Sequence, residues 1–148
     1  MPSFHRLAVV SCLLLVVACD SRTHGVAGMW EGTAAGGILL PGGMNFHLTL
    51  TETEFGVVSG AGHLSLNDAG VVFNNGLPVL PVTITGAHAS PAVSLHVTAG
   101  GLQPMNYQAT MDRSLARIAG VLNGSGFLGT QMDLHRTPPS TASRVTAP

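Results

Sequence analysis

Cysteine is nearly absent from this chain of 148 residues: there are two, Cys12 and Cys19, and none follows position 19. A disulfide-stapled fold is thereby excluded for the rest of the chain, as is a Cys–His metal cluster. Lysine is missing altogether. All six basic residues are arginine and the formal net charge is −1, so the chain offers no basic field for phosphates and nucleic acid is a poor partner. Aromatic residues make up 5% and charged residues 9%. Nowhere after residue 19 do apolar residues recur with a helical period, and the 19 glycines would weaken any helix that tried to form. What is present is apolar content, 45% of the chain, which rules out wholesale disorder and is enough for one domain.

The longest apolar run lies at the N-terminus. Arg6 precedes Leu7–Ala18, interrupted only by Ser11 and Cys12, and Cys19, Asp20, Ser21 and Arg22 follow at once. This is the anatomy of a signal peptide, too short for the roughly 20 apolar residues of a membrane-spanning helix. Val16, Val17, Ala18 and Cys19 together resemble the lipobox of bacterial lipoproteins. That resemblance implies cleavage after Ala18 and a lipidated Cys19, with the mature protein anchored by its acyl chains and facing the periplasm. At about 0.8 kcal/mol per buried methylene, two or more chains hold a protein stably. Asp20 resembles a sorting signal for retention in the inner membrane; the outer membrane stays open as a destination. An ordinary secretory signal cut near Ala18 and an uncleaved anchor are the rivals. Cys12, after Val9, Val10 and Ser11, is a weaker attachment site, because its apolar run is short and Leu13–Val17 would remain behind it. With Arg6 removed, five arginines face seven carboxylates, a balance of −2.

The remainder reads as all-β. Phe46, Leu48 and Leu50 alternate with His47, Thr49 and Thr51, and Val93, Leu95 and Val97 alternate with Ser94, His96 and Thr98, the period of half-buried strands. Further strands are expected over Met29–Ala34, Val57–Leu66, Val79–Ala87, Met105–Met111, Arg117–Leu122 and Gly129–Arg136, with a short one over Val71–Phe73. Turn residues separate them at Gly42–Gly43, Asp68–Gly70, Asn75–Gly76, Gly100–Gly101 and Asn123–Gly124. About eight antiparallel strands in sequence leave two open edges unless the first pairs with the last, so a single small up-and-down barrel is expected. The division that follows is a signal peptide over 1–18, a lipidated tether over 19–27, the barrel over 28–136 and a disordered tail over 137–148.

Gly28 and Trp30 open the first strand, and Arg136 shares a face of the last with Met132 and Leu134. A Gly-X-Trp in strand one beneath an arginine of the final strand resembles the calycin pattern of lipocalins, avidins and related barrels. The resemblance implies that Gly28, Trp30 and Arg136 close one end of a calycin-like barrel. A guanidinium over an indole also has its own rationale, about 0.5–2 kcal/mol according to desolvation. Biotin binding is not implied, since avidins line their pocket with several tryptophans and Trp30 stands alone.

Candidate chemistry is sparse. Gly124–Gly129 matches Gly-x-Gly-x-x-Gly, but strand-like residues follow where a dinucleotide site needs a helix, so it reads as a hairpin. No Gly-x-Ser-x-Gly elbow occurs. His24, His47, His63, His88, His96 and His135 include no His-x-His pair, and solvated surface histidines without a metal are expected. Glu52 and Glu54 share a parity near Gly56, which reads better as a solvated strand end than as an acid–base pair. The inward set, Leu48, Leu50, Val82, Ile84, Leu95, Val97, Ala109, Ile118 and Leu122, is medium-sized and aliphatic. Gly60, Gly62, Gly86 and Gly120 interrupt strands and mark lost volume or bends. The expectation is a non-enzymatic, lipid-anchored envelope lipoprotein with no cofactor, binding a small hydrophobic ligand or a protein partner. A periplasmic inhibitor or assembly accessory working through loops or tether is the alternative, and a hydrolase or isomerase using His and Glu at the barrel mouth is a weaker third.

Overall fold

The computed structural model describes residues 25–36, 42–67 and 79–138. Cys19, Asp20, the expected signal peptide, the short strand over Val71–Phe73 and the turns at Asp68–Gly70 and Asn75–Gly76 lie outside the described residues. Eight strands occur in chain order: β1 (Gly28–Ala34), β2 (Met44–Glu52), β3 (Val57–Leu66), β4 (Val79–Ala89), β5 (Ala92–Ala99), β6 (Met105–Met111), β7 (Arg117–Gly124) and β8 (Phe127–Arg136). Each pairs antiparallel with the next, and β8 pairs back onto β1, closing the barrel. No free edge is left among these strands.

Alternation along each strand sorts the side chains. In β2, Met44, Phe46, Leu48 and Leu50 are buried while His47, Thr49 and Thr51 face outward. The register carries this parity round the barrel: Trp30 lies opposite Leu48 and Arg136, Leu50 opposite Gly60, and Ile84 opposite Val97. The core is a single apolar cluster in which Trp30, Tyr107, Phe46, Met44, Leu64, Ile84, Leu95 and Met132 are fully enclosed.

Bending so few strands into a closed ring brings some backbones into unusually close approach on the inner face. A Cβ at Gly62 would fall on the His47 carbonyl oxygen, and one at Gly86 on that of Ser94. Glycine at these inward positions lets the sheet curl.

The strand boundaries differ from the sequence expectation by one residue at the start of β1 and by two at the end of β4, the end of β7 and the start of β8. β4 runs to Ala89 and turns into β5 through Ser90 and Pro91 alone. The last hairpin turns at Ser125 (φ 51°) and Gly126 (φ 89°), two successive left-handed residues joining Gly124 to its partner Phe127. The strand twist favours this two-residue geometry, and it extends β8 two residues earlier than its alternation suggested. The Asn123 side chain accepts a hydrogen bond from the Gly129 amide at 2.8 Å, bracing the hairpin. Gly124–Gly129 therefore continues into a strand, not a helix.

The two barrel ends are unlike. One receives the N-terminal segment Gly25–Ala27 and carries the β2–β3, β4–β5 and β6–β7 turns. The other carries the longer β1–β2 and β3–β4 connections, with the β5–β6 and β7–β8 turns.

Candidate functional site

At the first of these ends, the residues singled out as a closing group lie together. The Arg136 guanidinium stands 4.4 Å from the centre of the Trp30 ring. Its Nε donates to the Leu115 carbonyl at 2.7 Å, one terminal nitrogen donates to the Gly25 carbonyl at 2.6 Å, and the other donates to the Ala27 carbonyl. One side chain thus ties β8, the β6–β7 turn and the N-terminal segment to each other. Desolvation pulls the Arg136 pKa below its ordinary value. Gly28 (φ 137°) is needed because a Cβ there would sit 2.5 Å from that guanidinium.

Gly25–Ala27, expected to be the end of a tether, is part of the barrel. Val26 is fully buried; its amide donates to Glu52 Oε2 at 2.7 Å, and its carbonyl accepts from the Trp30 indole at 2.7 Å. Glu52 is correspondingly not a solvated strand end. Its other oxygen lies 2.7 Å from His88 Nδ1, with the two side chains 14% and 7% exposed. With an ionised carboxylate, which only accepts, Nδ1 is the donor of this pair. His88 Nε2 is buried and has no hydrogen-bond partner among the described residues. Glu54 is exposed in the turn beyond and does not join Glu52. Both surprises were visible as parity: Glu52 continues the inward series of Leu48 and Leu50, and His88 that of Val82 and Ile84. Chemically this cluster is a clamp, since both Glu52 oxygens are engaged by protein donors.

Inside the barrel fully buried Tyr107 carries a hydroxyl into the apolar core. Its hydroxyl lies 2.8 Å from the Ile118 carbonyl and 2.9 Å from that of Met132, sharing its proton between them. Burial, helped by Asp133 and opposed by Arg117, pushes this phenol well above its ordinary pKa. The remaining carboxylates with described partners serve local structure. Asp112 accepts from Ser114 Oγ and from the Ala116 and Arg117 amides, chiefly the first of which holds it below the usual carboxylate pKa. Asp133 pairs with Arg117 at 2.5 Å on the outer wall.

Two concavities of the described outer wall bear on binding. One, of about 460 Å³, crosses β4–β7 where two cross-strand rows stack: Ala87, Ser94, Gln108 and Val121, then Ala89, Ala92, Thr110 and Ala119. No charged side chain lines it. The other, of about 260 Å³, lies over β1–β3 and contains Glu31, His47 and His63. The His47 and His63 rings stack at 4.8 Å, and His47 Nδ1 is 3.4 Å from Glu31. His135 is the cross-strand neighbour of Glu31 on the opposite side, and His96, on β5, lies 2.8 Å from the Asn106 side-chain oxygen. Among the described residues no group of three or more His, Cys, Asp or Glu is placed to hold a metal ion. Along β2 and most of β5 the outward side chains are polar and the inward ones apolar, the reverse of strands that face lipid.

Comparison with protein-family models, with curated proteins and with solved structures returned no match.

Proposed function

We propose that the protein is a lipid-anchored lipoprotein of the bacterial cell envelope whose calycin-like barrel is a non-enzymatic binding module. The anchor is the lipid on Cys19, after cleavage of residues 1–18, and the barrel faces the periplasm, at the inner membrane if Asp20 acts as a retention signal. One observation carries the binding assignment: a groove of about 460 Å³ on β4–β7 is lined by no charged side chain, while the barrel interior is occupied by side chains as large as Trp30, Tyr107 and Phe46. A wall of Ala87, Ala89, Ala92 and Ala119 with neutral Ser94, Gln108 and Thr110 suits an uncharged, largely apolar surface. A charged ligand would find no counter-charge there. A small hydrophobic molecule or the apolar face of an envelope protein meets the requirement. Glu52 is engaged by His88 and by the chain's own Val26, which supports reading it as a structural clamp.

Native mass spectrometry of the mature protein, recovered after incubation with host-envelope extract, tests the reading. A retained mass that Ala119→Glu abolishes while the variant keeps its fold supports it, and the size of that mass separates small ligand from protein. Retention unaffected by Ala119→Glu, or none at all, refutes the groove as the binding site.

A further inference from the structure

Phe55 is the most exposed large apolar side chain among the described residues, at 86%. Mobility does not account for its exposure, because the turn that holds it is tightly bonded. The Gly56 amide donates to the Thr53 carbonyl at 3.0 Å, the Thr53 amide to the Val57 carbonyl at 3.0 Å, and the Val57 amide to Thr53 Oγ1 at 3.1 Å. The His88 amide, on the neighbouring strand, donates to the Gly56 carbonyl at 2.8 Å. Gly56, at φ 75°, makes the tight turn feasible. The loop is built to hold a phenyl ring out in water, next to Val57, itself 56% exposed. Met29, 42% exposed, lies toward the same barrel end on β1.

This is also the end at which the anchor must sit. Gly25 rests against the Glu52 carboxylate, at the root of the same turn, and the Val26 amide is bonded to it. From Gly25 back to Cys19 there are six residue steps, which span at most about 20 Å even fully extended. Thus, on the lipoprotein reading on which this inference rests, the lipidated residue is held within that distance of Gly25, at the barrel end that carries Phe55. The opposite end, with Leu128 at 81% exposure, stands a barrel's length further off.

We infer that the β2–β3 turn is a second membrane contact, with Phe55 and Val57 seated in the interfacial layer of the bilayer that holds the lipid on Cys19. Amphipathic anchoring of this kind adds apolar burial to acyl-chain insertion and fixes an orientation that a tether alone leaves free. Glu54, beside Phe55 and exposed, stays among the headgroups and limits penetration to that layer. The barrel then stands with its clamped end on the lipid and its longer connections pointing away. The occupant is the anchoring bilayer, because the chain's own exit point delivers it there.

The test uses the full-length protein expressed with its own N-terminus, purified from membranes and reconstituted into phosphatidylcholine–phosphatidylglycerol vesicles, with or without brominated acyl chains. Phe55→Trp and Leu128→Trp place a reporter at each end, over the constant background of buried Trp30. Intact mass first establishes whether the acyl chains are present. The expected result is blue-shifted emission and loss of intensity with brominated lipid for Phe55→Trp, with Leu128→Trp unchanged. An acylated protein whose Phe55→Trp emission stays red and unquenched overturns the contact and leaves the anchor standing; quenching at both ends overturns the orientation. A mature protein without acyl chains overturns the anchor and this inference together.

Discussion

Replacing Arg136 with methionine removes the charge and all three donors while keeping an unbranched apolar stem over Trp30. Each donor serves a backbone carbonyl, of Gly25, Ala27 or Leu115, on segments that no strand pairing holds at those atoms. Charge-assisted hydrogen bonds contribute about 1.5–3 kcal/mol each, which partial wetting of this barrel end reduces to about 1 kcal/mol. The cation–indole contact adds about 0.5–1 kcal/mol. The expected loss is therefore about 3–4 kcal/mol, a fall in Tm of roughly 14–19 °C for a domain of about 100 residues. Differential scanning calorimetry reads the total, and amide hydrogen exchange at Val26 reads the local event, because release of Gly25 and Ala27 frees the amide that donates to Glu52. Arg136→Lys, a point charge that cannot span three carbonyls, should recover a minority of the loss. A Tm within about 3 °C of the parent, with Val26 still protected in Arg136→Met, would refute the assignment of Arg136 as the tie between first and last strands.

Glu52→Ala should cost about 2–4 kcal/mol by urea unfolding, since it leaves the Val26 amide and His88 Nδ1 without an acceptor in a dry setting. A solvated strand-end glutamate would instead give a change within about 0.5 kcal/mol. Tyr107→Phe should cost about 1–2 kcal/mol near neutral pH by uncovering the Ile118 and Met132 carbonyls. It should also remove an alkaline loss of stability. The folded phenol is raised above the unfolded value, so its stabilisation is complete below about pH 10 and declines as pH rises past that point and the unfolded chain alone ionises. Because Tyr107 is the chain's single tyrosine, unfolding curves at about pH 9 and pH 11 isolate the effect.

Period-two alternation made the strands legible, because each exposes one face to water and buries the other; β2 and β5 follow it over their whole lengths. Closure followed from the cost of leaving two edges. Strand ends were read less well. Glu52 and His88 lie on the inward side of β2 and β4, but at a barrel rim inward means buried only if something covers the rim. The cover is Val26, a small apolar residue in a stretch with no periodic signal of its own. The stacked His47–His63 pair and the two rows of the β4–β7 groove depend on cross-strand register, which no single strand's sequence encodes. The turn at Ser125–Gly126 falls just after the Asn-Gly dipeptide that suggested it, as Asn123 serves as a bracket for Gly129 and not as a turn residue.

The pairing of β8 with β1 also has a kinetic side. Arg136 and Ala27, bonded in the finished barrel, are 109 positions apart in the chain. Seven of the eight ladders join neighbours and can zip as hairpins, but the eighth has to wait for the last strand. A chain made or threaded N-terminus first cannot close its ring until nearly its whole length is available. Until then the inner faces of β1 and β7, with Trp30, Ile118 and Leu122, have no partner on one side. Such distant pairings slow folding, since loop entropy is lost before the contact is gained. The architecture that removes exposed edges at the end therefore prolongs their exposure on the way, and keeps the ring open until β8 is available.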